Sequence, residues 1–240
     1  MRVFAALALI AATTAAACGG LFRQYEYEEE MYLSLDGTAA VYVNSSIAAL
    51  NALRGTSFDT NPDVAVDRAA IRNYFTSPNT HVNGSVTTSR RGNRRFVHVR
   101  VDVDDVTRLG EAAPFAWSRY RFGREGNLYA YRQTVGAPAR KDVGDVGWTG
   151  RETVAFRLHI PSKVTFQNTG PPRRGNILVW EQALGDRLKA EPLTLEAKIE
   201  MQSILYRTLW LFGATFAAVA IMFSLVIWWV LRHGRKTAET

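Results

Sequence analysis

The sequence predicts an α+β fold: a mostly antiparallel sheet, a few short helices, and one C-terminal transmembrane helix. Three observations predict it. Asp36-Gly37, Gly92-Asn93 and Gly126-Asn127 each sit between runs that alternate apolar and polar, the pattern of β-hairpins. The helical segments are short and begin at Ser or Asp caps. Thr208 to Leu231 runs 24 positions without a charge, about 36 Å of helix against a hydrocarbon core of about 30 Å.

Tyr25 to Leu35 alternates with period two. Tyr25, Tyr27, Met31, Leu33 and Leu35 share one face with Glu29, and Glu26, Glu28, Glu30, Tyr32 and Ser34 share the other. Asp36-Gly37 turns the chain, its glycine supplying a positive φ, and Thr38 to Val43 returns. Ser45 or Ser46 caps a helix over Ile47 to Arg54 that stops at Gly55, and Asp67 caps a second over Arg68 to Phe75, ahead of Pro78. Thr80 to Arg90 pairs with Arg94 to Val103, where Val97, Val99, Val101 and Val103 point inward. Asp104 or Asp105 caps a helical turn through Glu111. Trp117 to Phe122 and Leu128 to Val135 form the third hairpin. Ala137 to Gly150 reads as loop, its Gly144 to Gly150 part a mobile loop at the membrane or a partner surface with Trp148 as an anchor there. Strands follow at Thr153 to Ile160, Val164 to Asn168, Ile177 to Gln182 and Leu193 to Met201, with a turn or short helix between Ala183 and Ala190.

The two ends predict location. Residues 1–17 carry Arg2, an apolar run over Val3 to Ala12 and a small-residue stretch ending in Ala15-Ala16-Ala17, the three parts of an export signal. Cys18 follows, the chain's single cysteine. Small residues before a cysteine in this position point to lipidation at Cys18, which would make it the mature N-terminus. At the other end Trp210, Trp228 and Trp229 flank the uncharged run, where indole rings favour the membrane interface. Arg232, Arg235 and Lys236 come directly after it, so the positive-inside bias places residues 232–240 in the cytoplasm. The domain expectation is therefore a signal peptide at 1–17, an exported α+β domain at 18–207, a spanning helix at 208–231 and a cytoplasmic tail at 232–240.

Charge and motif searches exclude more than they assign. Setting aside Arg2 and the tail's Arg232, Arg235, Lys236 and Glu239, 25 basic and 21 acidic residues remain, so the exported part holds about +4 of the chain's +7. That is not the dense basic stripe of a nucleic-acid binder. His81, His98, His159 and His233 show no i, i+4 pair and no Cys joins them, so no zinc site is expected. Asp102 to Asp105 lacks the glycine and later Glu of a calcium loop. His98, Arg100, Asp102 and Asp104 read as a solvated strand face. There is no nucleophile elbow, and Gly144 to Gly150 lacks the lysine of a phosphate loop. No catalytic residue, metal or cofactor is expected. The sharpest candidate is the cluster Arg90, Arg91, Arg94 and Arg95 around one turn, which reads first as a solvated, self-repelling turn that blunts an edge and second as a contact for anionic headgroups or phosphorylated polymers.

One pattern is distinctive beyond composition. Phe156 to Glu200 contains a strand ending at Pro161, then Val164, Asn168, Gly175-Asn176, a strand with Trp180, and a β segment leading into the apolar helix. With the hairpin Leu33-Ser34-Leu35-Asp36-Gly37-Thr38 and the signal ending at Cys18, this resembles the LppM-like family of bacterial envelope lipoproteins. The resemblance implies an envelope location and no catalytic set. The region Ala112 to Gly150 has no counterpart in it. The functional expectation is a membrane-anchored bacterial envelope protein, its bulk outside the cytoplasm, whose domain binds lipid, glycolipid or an envelope protein partner and no nucleic acid. The alternatives are a hydrolase acting on envelope material and an accessory subunit of a membrane complex, docked through the small face Gly213, Ala214, Ala217 and Ala218.

Overall fold

The structure, a computed structural model, describes residues 25–170 and 175–234. The predicted export signal, Cys18, Arg235 and Lys236 lie outside the described residues. The fold is α+β, as expected, but its strands divide into two sheets. The first has six strands in the order β3-β4-β2-β1-β7-β9, and the second has four in the order β5-β6-β10-β8.

In the first sheet, β1 (Tyr27–Leu33) and β2 (Ala39–Ser46) form the first hairpin. Its loop is Leu35-Asp36-Gly37, closed by Ser34 and Thr38, with Gly37 at φ 88°. A side chain there would be strained, and Asp36 adds an acceptor for the Thr38 N–H. β3 (Thr80–Arg91) and β4 (Arg94–Val103) meet across Gly92-Asn93, both at positive φ. Val97, Val99, Val101 and Val103 are buried, as the alternation predicts. β7 (Thr153–His159) lies parallel to β1, and β9 (Ile177–Ala183) completes the sheet. This parallel pair joins residues more than a hundred positions apart, which no local signal announces.

Helices α1 (Ile47–Arg54) and α2 (Arg68–Phe75) start at Ser46 and Asp67, whose side chains accept from Ala49 N and Ala70 N at 2.9 Å each. α1 ends at Gly55 in the left-handed conformation. Asp105 caps a 3-10 turn over Val106–Glu111. A short α3 (Leu184–Leu188) follows β9.

The second sheet takes the β5 (Ser118–Glu125) and β6 (Leu128–Val135) hairpin, then β8 (Ser162–Gln167) and β10 (Leu193–Ser203). The stretch Ala112 to Gly150 thus supplies half of this sheet, and its Tyr120, Tyr131 and Val135 belong to the core. Asn168 ties the sheets together. It accepts from Trp180 Nε1 and Glu196 N, each at 2.9 Å, and donates to Thr194 O at 2.8 Å. Trp148 anchors the Ala137 to Gly150 segment by donating to Glu26 at 2.9 Å.

β10 runs without a linker into α4 (Ile204–Gly234), so helix begins four residues before the predicted start. Ile204–Arg232 is long and apolar enough to cross a membrane, with mean hydropathy 2.3 and none of its apolar window packed on the domain. Ile204 N bonds Pro161 O at 3.0 Å, so α4 leaves from the end of the domain where β7 finishes and β8 begins.

Candidate functional site

The four arginines singled out by sequence lie at the opposite end. β1 ends beside the end of β7, and Ala39 and Val103 pair at that same helix-proximal end. Arg94 is at the other end of the ten-residue β4, about 30 Å along the strand at roughly 3.3 Å per residue. Each arginine there holds another segment. Arg95 is buried and donates to the backbone carbonyls of Val64 and Asp59. Arg94 pairs with Glu26 at 3.0 Å and donates to Gly147 O at 2.9 Å. Arg91 donates to Tyr25 O and lies over the Phe96 ring. Arg90, about half exposed, reaches Asp63 at 3.3 Å.

The His98, Arg100 and Asp102 face is solvated and internally bonded. His98 contacts Ser89 Oγ at 2.8 Å and Asn44 Oδ1 at 2.9 Å, Arg100 pairs with Asp102 at 3.2 Å, and His81 pairs with Asp104 at 3.0 Å. The polar face of β1 is also more occupied than alternation suggests. Glu28 pairs with Arg157 at 2.9 Å and Glu30 with His159 at 2.6 Å.

Glu29, the charge on the apolar face of β1, is buried at the junction of the two sheets. Tyr120 Oη and Gln133 Nε2 donate to one of its oxygens at 2.9 and 3.1 Å. Tyr27 Oη donates to the other at 3.0 Å, and Arg54 lies 3.5 Å from it. Burial, reinforced at Tyr120 by the Glu29 charge, pushes the Tyr27 and Tyr120 hydroxyls well above their ordinary range. They therefore remain donors, which Glu29 needs as a buried carboxylate.

The open face of the second sheet carries the residues that sequence reading passed over. Alternation turns Ser118 and Tyr120 inward and leaves Arg119 and Arg121 exposed. Arg132 stands directly opposite Arg121 in the β5–β6 register. Like charges in that relation destabilise a sheet. Arg132 has a compensating partner, Glu196 on β10, at 2.8 Å. Among the described residues, Arg119 and Arg121 have no ion pair. The three arginines, with Trp117, Thr134 and Gly136, line a groove of about 490 Å³. Guanidinium groups converging on one open groove suit phosphate or carboxylate, which accept two parallel N–H bonds from each. The signal was present as the Arg119-x-Arg121 alternation, but the facing strand that brings in Arg132 had to be known first.

Comparison with known proteins gives little more. No protein-family model matches the chain, and no curated protein matches it. The folded domain of LppM from Mycobacterium tuberculosis, solved by NMR, is distantly similar. It shares 16% identity over 75% of this chain and 94% of its own length, with a TM-score of 0.40.

Proposed function

We propose that the chain is a single-pass bacterial envelope protein of LppM-like type, exported by residues 1–17, lipidated at Cys18, and anchored by α4 with its tail in the cytoplasm. In this reading its domain binds an anionic lipid or glycolipid on the open face of the second sheet. The observation that carries the proposal is the pair Arg119 and Arg121, without an ion pair among the described residues, on a sheet whose strand β10 continues directly into the apolar helix. With no linker, the domain stands on the bilayer surface and that face rises from it, with Arg121 and Arg119 level with Glu196 and Thr194 of β10, about 26 and 33 Å along the strand from Ile204 at roughly 3.3 Å per residue. Lys198 and Lys163, paired with Glu125 and Glu200 at 2.9 and 3.2 Å, lie lower on the same sheet. The turn carrying Arg90, Arg91, Arg94 and Arg95 stands at the same far end on the first sheet, where half-exposed Arg90 would meet an envelope polymer or neighbouring protein.

The test is lipid co-purification by the full-length protein, extracted in mild detergent and analysed by mass spectrometry. Wild type should carry anionic lipid, and Arg119→Gln with Arg121→Gln should lose most of it. Equal lipid on both proteins would sink the reading. Intact mass of the same preparation reads the N-terminus, and an unmodified Cys18, or another start, would remove the lipoprotein part alone.

A further inference from the structure

A second cationic site lies inside the domain, behind Trp117 and Gly136 at the edge of the open groove. Arg54, at the end of α1, and Arg187, in α3, are both almost fully buried. The Arg54 guanidinium lies 3.1 Å from the centre of the Trp117 ring, and that of Arg187 lies 5.9 Å from it. Arg187 loses some of its affinity for a proton, through burial and through the charge of Arg54. The buried carboxylate of Glu29 faces Arg54, and the charge of the exposed Glu191 opposes the fall at Arg187. The four acceptor contacts of Glu29 are those from Tyr27, Tyr120, Gln133 and Arg54 itself.

The hydrogen bonds are as unbalanced as the charges. Arg54 Nε and Nη1, Arg187 Nε and Trp117 Nε1 are all buried donors with no acceptor among the described residues. Arg94 Nε and Arg157 Nε are different, since each lies within 3.0 Å of a glutamate oxygen. Arg187 has one weak acceptor, Gln182 Oε1 at 3.4 Å. A lone unmet donor is common beside a stacked guanidinium. Four on three neighbouring side chains, with a surplus positive charge, call for an acceptor-rich group of negative charge.

One segment ties these three elements together. Gly136 N donates to Trp117 O at 2.7 Å, Ala139 N to Leu53 O at 3.0 Å, and Arg140 Nη2 to Lys189 O at 3.1 Å. Residue 136 must be glycine for this, because a Cβ there would meet Trp117 O at 2.6 Å. Arg140 holds φ at 55°, rare for a residue with a side chain. Residues 136–141 therefore form a strap across α1, α3 and the start of β5.

We propose that Arg54, Arg187 and Trp117 bind a small oxyanion, a phosphate group, which enters when the strap over residues 136–141 lifts. The phosphate oxygens accept from the four unmet donors, and its charge offsets the surplus cation. The ligand is inorganic phosphate or the phosphate of a larger molecule. This site does not depend on the lipid-binding reading above.

The experiment is a thermal melt of the full-length protein in detergent, in inorganic phosphate and in chloride of equal ionic strength. Wild type melts higher in phosphate, and the rise grows with its concentration. Arg187→Met abolishes the rise. Trp117→Phe keeps the aromatic ring and removes one donor, so phosphate binding weakens by roughly fivefold or more. The double variant Arg119→Gln, Arg121→Gln keeps the rise, which separates this site from the open face. Should Arg187→Met fail to fold, Trp117→Phe carries the test alone. No rise in wild type, an undiminished rise in Trp117→Phe, or its loss in the open-face variant overturns the proposal. Glycerol phosphate, run as a parallel ligand, distinguishes a free ion from a phosphate ester.

Discussion

The two arginine-rich hairpins use the same residue in opposite ways. At the β3–β4 turn, four arginines fall within six positions, and each is bonded to another segment: Asp63, Tyr25, Glu26 and Gly147, or Asp59 and Val64. In the β5–β6 hairpin the arginines are spread by alternation, and Arg119 and Arg121 emerge on an open face. The difference teaches that cation density along a chain measures little by itself. What decides availability is whether other segments offer carbonyls and carboxylates within reach. The long loops before α2 and before β7 do so around the first turn. Nothing described covers the outer face of the second sheet.

The largest effect that separates the two hairpins is on stability. Arg95→Met leaves the carbonyls of Asp59 and Val64 without donors at a buried position. The expected loss is about 2–4 kcal/mol, the range for breaking a buried charged hydrogen-bond set. Arg121→Gln removes an exposed like-charge contact with Arg132 and should cost nothing, or stabilise by a few tenths of a kcal/mol. Urea unfolding of both variants measures this directly. Equal losses would mean that the two hairpins do not differ as described.

Binding should invert that order. In vesicles containing anionic lipid, Arg119→Gln with Arg121→Gln is expected to weaken association by about 1 kcal/mol per arginine at low salt, with the difference shrinking as salt rises. Arg90→Gln, the exposed member of the other cluster, should leave vesicle binding unchanged, because Arg90 is already bonded to Asp63 and Asn93. Loss on Arg90→Gln and none on the pair would move the anion-binding surface to the β3–β4 turn.

Much of this fold was readable in the sequence, and the unreadable part has a common cause. The valines of β4, the caps at Ser46 and Asp67, and the three hairpin turns depend on neighbours within a few residues, and all appear where local chemistry places them. The division into two sheets does not. It depends on β1 choosing β7 as a parallel neighbour and on β10 choosing β6 and β8, pairings that are decided by packing. The candidate sites follow the same line. Glu29 was visible as a charge on an apolar face, but Arg54, Tyr120 and Gln133 around it come from three other elements. The same is true of the groove, since Arg121 acquires its meaning from Arg132 across the hairpin.

The smallest expected difference between the hairpins is in their response to pH. His98 lies on β4 near the four-arginine turn, with its two ring nitrogens on Ser89 and Asn44. Partial burial, and then the charge of Arg91, lowers its pKa below the ordinary histidine value, while Glu28 opposes them. The unfolded chain therefore takes up a proton as pH falls through about 6.5, before the folded chain does. This group contributes no pH dependence above that value. Below it, the folded state loses stability until the lowered pKa is passed. Because His98 is partly exposed, solvent screening reduces the effect to the order of a few tenths of a kcal/mol. His98→Gln keeps a polar side chain and removes the titration, so its stability should fall less than that of wild type between about pH 7.5 and 5.5. The groove on the second sheet is lined by no histidine, so Arg121→Gln should track wild type across the same interval. Parallel slopes for all three proteins would show that neither the burial of His98 nor the nearby Arg91 charge bears on its protonation, and the partnered state of the β3–β4 hairpin would then rest on the stability measurement alone.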